Sequence, residues 1–441
     1  MNFDRLRALL FQQAMRGQLV PQFDEEKSVN IMPIVTSDVP HELPRKWVWV
    51  RSDEILEFIR GVTFPASAKR SALSEGIVRC LTTGSVQKRH NLAADVFVPS
   101  TYVKKDRQYL KKNDVVISSA NSKELVGKSI IWKGGEPRVS FGGFLTVARV
   151  KKDEINPIFV YYFFQFLFES RYFANLSTQT TNIANLSNAL LSSVLFPLPP
   201  IEEQERIVAK LEEAFAEIDR AEKAYEELQT LAGVLRGQIL QEAIQGKLVP
   251  QLVSDGVTKQ IAEAPEEVPF DIPNTWSWIR GEELAVKRKT IDPSTLTNDE
   301  IELWSIPAYD AGVAEKVSPG DIGSSKKVVQ AGDVLLAKIV PHIERVWIVS
   351  ESANSLMKLA STEWLVYASE LFLPEFMGLL FRSPYFRTKM MESVSGMGSL
   401  KRANPRTLAK VWLPVPPIKE QERIVIKVET LLKQVNLLLT K

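Results

Sequence analysis

Residues Pro197-Leu-Pro-Pro-Ile-Glu-Glu-Gln-Glu-Arg-Ile-Val208 decide the architecture. Prolines cannot sit inside a helix but suit its first turn. Glu202, Glu203 and Glu205 stand where the positive end of a helix dipole favours acids. Behind them Val208, Leu211, Phe215 and Ile218 recur at steps of 3, 4 and 3, the seam of a helix that meets another helix. No proline interrupts the run until Pro250, and Gly246 marks the stop. The spacing predicts one helix over 201–248, a rod of roughly 65–70 Å. That is too long for the interior of an ordinary domain, and it reads as a spacer holding two bodies apart.

The opening stretch returns as Pro414-Val-Pro-Pro-Ile-Lys-Glu-Gln-Glu-Arg-Ile-Val425, displaced by 217 residues. Gly17-Gln-Leu-Val-Pro-Gln22 returns as Gly246-Lys-Leu-Val-Pro-Gln251, and Pro44, Trp47 and Trp49 as Pro273, Trp276 and Trp278, all displaced by 229. Three blocks in register are a duplication, and the second arm is 229 − 217 = 12 residues shorter than the first. Inside the arms, Asn113-Asp114-Val-Val-Ile-Ser118 answers to Gly332-Asp333-Val-Leu-Leu-Ala337, a turn running into a buried strand. Phe168, Ser170, Tyr172 and Phe173 answer to Phe381, Ser383, Tyr385 and Phe386 on apolar segments of helical character. Boundaries are more alike than contents, as expected of modules doing one kind of job on different targets.

Residues 418–441 copy the first half of the rod, with Val425, Val428, Leu432 and Val435 as seam, and residues 2–18 copy its last turns. Laid end to end, tail and head would rebuild a second, antiparallel rod. The expected fold is therefore mixed α/β: two globular arms separated by two long antiparallel helices forming a coiled coil, with internal pseudo-twofold duplication. Residues 1–20 form a helix packing with the distal one, 21–200 the first arm with its linker and 201–248 the central helix. Residues 249–413 form the second arm with its linker and 414–441 the distal helix.

A chain of 441 residues exceeds a single core, so two or three domains are expected. Cys80 is the sole cysteine, which excludes a disulfide framework and fits a reducing compartment. No signal peptide and no 18-residue apolar run is visible, so a cytoplasmic protein without membrane association is expected. Net charge is only +2, but residues 51–196 carry 20 Lys/Arg against 12 Asp/Glu, a net of +8. The rod carries 6 against 11, and residues 279–413 carry 17 against 16. The first arm suits a polyanion; the rod repels one.

Trp47 and Trp49 fall at alternate positions of a strand and read as core anchors, base stacking being the other reading. Residues 114–119 and 129–132 read as strands flanking the polar loop 119–128, whose Asn121, Ser122, Lys123 and Lys128 are suited to base edges and phosphates. Lys104, Lys105, Arg107, Lys111 and Lys112 lie just upstream as candidate phosphate contacts, against the bland reading of a solvated face. Gln179, Thr180, Thr181 and Asn182 close the first arm. The second arm offers Lys287, Arg288 and Lys289, then Lys338, His342 and Arg345, then Ser399, Lys401, Arg402, Asn404 and Arg406. The loops favoured for base contact are 119–128, 179–185, 338–345 and 398–406.

Catalytic constellations are missing from this reading. His41, His90 and His342 stand far apart without companions at ligand spacing, so no metal site is expected. Residues 122–129 imitate a phosphate loop, but Ser122 stands where glycine is needed and strand follows. Gly396-Met-Gly398 lacks the third glycine of a dinucleotide fingerprint. Asn156-Pro157-Ile158-Phe159 falls one proline short of the Asn-Pro-Pro-aromatic signature of adenine methyltransferases. The chain is expected to perform no chemistry alone and to hold no cofactor.

The duplicated proline/Glu-Gln-Glu-Arg blocks at 197–208 and 414–425, with Gly-Lys-Leu-Val-Pro-Gln at 246–251, resemble the specificity (S) subunit of type I restriction-modification systems over nearly the whole chain. That resemblance implies two target recognition domains, each reading half of an asymmetric, bipartite site in double-stranded DNA, with the helices setting the spacing. It implies two methyltransferase (modification) subunits as partners, carrying S-adenosylmethionine. With restriction subunits added, it implies an ATP- and Mg-dependent nuclease and translocase. The competing reading is a duplicated protein-interaction scaffold with no nucleic-acid role, which leaves the +8 arm and the polar loops unexplained.

Overall fold

A computed structural model of the chain describes residues 2–34, 39–136, 138–180, 183–258, 265–351, 356–395 and 401–440. The fold is mixed α/β and divides into two compact units, Met1–Ala224 and Tyr225–Lys441.

The first unit begins with α1 (Phe3–Met15), capped by Asn2, whose side chain accepts from the Arg5 amide at 2.9 Å. A two-stranded ladder of β1 (Val48–Arg51) and β6 (Leu195–Leu198) closes the arm, Trp49 standing opposite Pro197. Between them lies an antiparallel sheet in the order β2 (Leu56–Arg60), β5 (Leu145–Val150), β3 (Val115–Ser118), β4 (Ser129–Ile131). β3 is buried at every position, as its unbroken apolar run requires. A smaller sheet joins Ile77–Leu81, Val96–Pro99 and Ser140–Phe141. Helix α2 (Pro157–Glu169) covers the main sheet with Phe159, Phe163 and Phe164. Asn156 accepts from the amides of Ile158 and Phe159, so the near-methyltransferase motif is a helix cap followed by proline at the first helical position.

The rod is one helix, α3 (Ile201–Ile244). Within the first unit its seam meets α1: Phe215 packs edge-on to Phe11 at 5.0 Å, and Arg7 pairs with Asp219 and Glu222 at 2.7 Å each. Gln22, beyond α1, reaches Glu203 near the start of α3, so the two helices run antiparallel. Val208 and Leu211 are buried, while Phe215 and Ile218 are half-buried, so the seam thins toward the middle of the rod.

The second unit repeats this plan with different contents. Strands β7 (Ser277–Arg280) and β11 (Trp412–Val415) pair with Trp278 opposite Pro414, which is the β1–β6 register under the displacements 229 and 217. β8 (Val334–Ala337) lies between β9 (Val346–Ile348) and β10 (Trp364–Tyr367), as β3 lies between β4 and β5. The motif shared by 168–173 and 381–386 ends one helix and begins the next in both units, through α4 (Pro374–Arg382) and α5 (Pro384–Glu392) in the second. The smaller sheet recurs as well: Ile301–Trp304 pairs antiparallel with Glu315–Val317 and parallel with Lys358–Ser361, and the second unit extends it with Lys326–Val328 and Thr290–Ile291. Helix α6 (Ile418–Thr440) runs antiparallel to the last turns of α3: Gln251 reaches Glu420, and Arg236 reaches Asn436. The seam is Ile424, Val428 and Val435, with Val425 and Leu432 only half-buried. The heptad centre therefore falls one residue before the Val425 expected from sequence.

Geometry explains why these blocks recur. Trp47 Nε1 donates to Glu203 Oε2 at 2.9 Å, and Trp276 Nε1 to Glu420 Oε2 at 3.0 Å, both in buried settings. Gln22 and Gln251 supply the second donor to each carboxylate, at 3.1 and 2.6 Å. Gln204 accepts from the Asn156 amide and donates to the carbonyls of Glu154 and Pro199, and Gln421 does the same with Leu373, Leu371 and Pro416. Arg206 ties down Glu26 and the Pro21 carbonyl, and Arg423 ties down Asp255 and the Pro250 carbonyl. Glu202 and Glu205 are exposed as helix-dipole acids should be, whereas Glu203 is a buried latch. Desolvation raises the Glu203 pKa above the ordinary carboxylate value, and the Trp47 and Gln22 donors offset part of it.

Gly17 and Gly246 end their helices at φ +66° and +70°, and a Cβ on either would lie 2.4 Å from Cγ of Pro44 or Pro273. Only glycine meets both conditions. The tryptophans are core anchors, not stacking platforms: Trp47 and Trp49 are buried, and Trp49 Nε1 donates to the His41 carbonyl at 3.2 Å.

Candidate nucleic-acid interface

At the end of β3 the chain passes into the short strand Ala120–Asn121, which pairs with Ile183–Asn185, itself paired with Thr178–Thr180. The loops 119–128 and 179–185, separate in sequence, thus meet in one small sheet. A third segment joins them, the turn 142–145, in which the Leu145 amide donates to the Gly142 carbonyl at 2.8 Å. The Phe144 carbonyl accepts from the amides of Ser119 and Ala120 at 3.0 and 3.2 Å, and from the Ser119 hydroxyl at 3.1 Å.

Within loop 119–128, the Asn121 amide group donates to Ser118 Oγ at 3.0 Å, and Asn121 Oδ1 accepts from the Ser122 amide at 2.9 Å. Gly127 sits at φ +89°, and a Cβ there would lie 2.3 Å from the Phe173 ring, so the loop is pressed onto the aromatic core. Lys123 is exposed. Lys128 donates to Gln87 Oε1 at 3.3 Å, and burial holds its pKa below the ordinary lysine value. That contact brings exposed Gln87, Lys88 and Arg89 beside the loop, residues that sequence reading had not singled out. Thr181 and Asn182 lie outside the described residues; Gln179 and Thr180 are placed by their backbone in the pairing strand.

The second arm assembles the same three segments. Ile339 bridges to Arg402, the Ala403 amide donates to the Lys338 carbonyl at 2.8 Å, and the Val340 amide donates to Lys401 at 3.0 Å. The Lys338 amide donates to the Glu363 carbonyl at 3.0 Å, as Ser119 does to Phe144. Glu363 receives Arg402 through two nitrogens at 3.0 and 3.1 Å, with Lys338 Nζ at 4.0 Å. The Arg402 hydrogen bond, then the charges of Lys338, Arg402 and Lys327, hold its carboxyl below the ordinary value despite partial burial. Arg345 is paired with Asp310 at 3.0 Å, His342 and Lys401 are exposed, and Asn404 caps a short helix by accepting from the Arg406 amide at 2.9 Å. Arg406 is exposed, and Ser399 lies outside the described residues.

Two groups of candidates fall elsewhere. Lys104, Lys105, Arg107, Lys111 and Lys112 gather at the start of β3, where Gln108 binds the amides of Lys104 and Lys105 and Arg107 pairs with Glu57 at 2.9 Å. A four-residue strand, about 13 Å, separates that cluster from loop 119–128. Arg288 is committed to buried Asp333, the counterpart of the Arg149–Asp114 pair in the first arm, while Lys287 and Lys289 are exposed. Among the described residues no group of three or more His, Cys, Asp or Glu is placed to hold a metal ion, and no helix is long and apolar enough to cross a membrane.

Residues 44–230 match the family model of the type I restriction modification DNA specificity domain. Over 417 residues the chain is 25% identical to the EcoKI specificity subunit of Escherichia coli strain K12, covering 90% of this chain and 85% of that one. Residues 44–230 therefore carry a DNA specificity domain of the type I restriction-modification kind. The chain is also 24% identical, over 87% of its length and 86% of the relative's, to the putative MjaX specificity subunit of Methanocaldococcus jannaschii. Among solved structures, its fold is shared with the HsdS subunit from Thermoanaerobacter tengcongensis at TM-score 0.54 and 17% identity, over 91% of this chain and 93% of that one. A chain from a structure of type I R-M complex assembly and conformational transition matches at TM-score 0.64 and 18% identity, over 90% and 93%. The third turn of each face was legible only in part: Gly142-Gly143 announces a turn, but nothing local places it against loop 119–128.

Proposed function

We propose that residues 21–200 and 249–413 are two target recognition domains with their linkers, each reading one half of a bipartite, asymmetric site in double-stranded DNA. The paired helices set the distance between half-sites and dock two methyltransferase subunits. The observation that carries this reading is the three-segment polar face, built at the same register in both arms and lined with different side chains. An equal frame with unequal edges suits two unlike half-sites. Lys123, Lys128, Lys88 and Arg89 in the first arm, and Lys338, Lys401, Arg402 and Arg406 in the second, are the candidate phosphate and base contacts.

S-adenosylmethionine belongs to the methyltransferase partners, and ATP and Mg to restriction subunits where these join; the assembly works in the cytoplasm on chromosomal and incoming DNA. Genome-wide adenine-methylation mapping with and without the gene tests the reading. One split motif, with unlike halves, should appear and vanish with this chain. A methylome that does not change, together with no salt-dependent DNA binding by the assembled complex, would favour the protein-interaction scaffold.

A further inference from the structure

The turn 142–145 carries a side chain that folding does not use. Phe144 is 62% exposed, against 44% for Phe23 and 41% for Tyr172, the other exposed aromatic residues among those described. An exposed phenyl ring forgoes the burial that stabilises core pairs such as Phe159–Phe196. Its backbone, by contrast, is fixed. The carbonyl accepts three hydrogen bonds from Ser119 and Ala120. The turn is seated so closely that a Cβ on Gly143 would lie 2.9 Å from Thr63 Oγ1. The ring is therefore presented from a rigid base, with Gly142 and Gly143 beside it adding no side chain of their own.

The second arm supplies the comparison. Leu145 pairs with Ser118 and Trp364 pairs with Ala337 at one register, so Glu363 occupies the place of Phe144. There the side chain is a carboxylate holding Arg402 and Lys338. One backbone position in the face thus carries an aromatic ring in one arm and an organised ionic cluster in the other. We infer that this position determines specificity, and that Phe144 is the first arm's stacking side chain, packing against a nucleobase at a distorted step of its half-site. An aromatic ring within a polar and cationic rim is the combination that engages base faces, and its cost is least at flexible pyrimidine–purine steps. The inference rests on the arms reading DNA and adds which residue does so by stacking.

The test uses the full chain assembled with its methyltransferase subunits. Its duplex carries the mapped split motif, with 2-aminopurine placed at each position in turn. Besides the target adenines, which a methyltransferase extrudes from the stack, one position of the first half-site should change its fluorescence on binding. That change should disappear in Phe144→Ala and survive in Phe144→Tyr, with specific affinity about five- to a hundredfold weaker in the alanine variant. Non-specific binding and its salt dependence should stay as they were, since no phosphate contact is lost. The melting temperature should hold as well, because the ring is exposed. An alanine variant with wild-type affinity, fluorescence profile and methylation pattern overturns the inference while leaving the arms as DNA readers. A wild-type complex that fails to bind the duplex overturns that reading itself.

Discussion

The two arms hold the same frame and present different edges. Trp47–Glu203 and Trp276–Glu420 differ by 0.1 Å, and the ladders that close each arm match residue for residue. Asp114 and Asp333 keep the same buried post, yet the arginine that neutralises each comes from a different part of the chain, Arg149 on β5 and Arg288 in the irregular segment after β7. At the face itself even the chemistry changes, from Phe144 to Glu363. Burial is what separates the two behaviours. A buried carboxylate must have its donors, so the latch side chains are constrained wherever the frame is reused. An exposed turn is held by its carbonyl, which any residue supplies, so its side chain is free to follow the target.

That comparison can be broken arm by arm, and the largest effect falls on the buried ion pairs. Asp114→Ala leaves Arg149, 12% exposed, without its partner, and about 3–5 kcal/mol of stability should be lost. Hydrogen exchange should show the loss in β3 and leave β8 protected, while Asp333→Ala does the reverse. Equal loss in both arms from either variant would mean that the two frames are not separate. Gly17→Ala and Gly246→Ala come next, each costing about 1–2 kcal/mol for the left-handed backbone alone and more for the overlap with Pro44 or Pro273. Urea unfolding should rank the two variants together; a harmless Gly246→Ala would refute the match.

A smaller effect distinguishes the first latch by pH. Because the folded-state pKa of Glu203 is raised, the folded arm binds that proton more tightly than the unfolded chain does. Stability from this group therefore falls as pH rises from the ordinary carboxylate value through the folded one. Glu203→Gln keeps an acceptor for Trp47 and should flatten that slope in thermal melts taken across the range; an unaltered slope would assign it elsewhere. The smallest effect lies on the rod. Arg7 pairs with Asp219 and Glu222, whereas its counterpart Arg236 meets the neutral Asn436. Arg7→Ala should cost below about 1 kcal/mol and less at high salt, and Arg236→Ala should be indifferent to salt.

The duplication, the rod and its stop at Gly246 were all legible because proline, glycine and heptad spacing are local signals. The polar loops were legible as loops. Their meeting was not, since Ala120–Asn121 reaches Ile183–Asn185 across more than sixty residues and pairing partners leave no mark on composition. Arg288 was misleading for the same reason: a basic triplet looks like a phosphate contact until Asp333 is found beside it. Phe144 was passed over because a lone aromatic in sequence is core by default, and only its exposure overturns that.

The central claim, one frame with interchangeable reading edges, is tested most directly by replacing residues 46–198 with a second copy of 275–415, joined through the matching β1/β6 and β7/β11 ladders. Adenine-methylation mapping of cells carrying that chain should show a split motif with the second half-site's bases in both halves. A motif that keeps its original first half, in a chain that folds and supports methylation, would contradict the account.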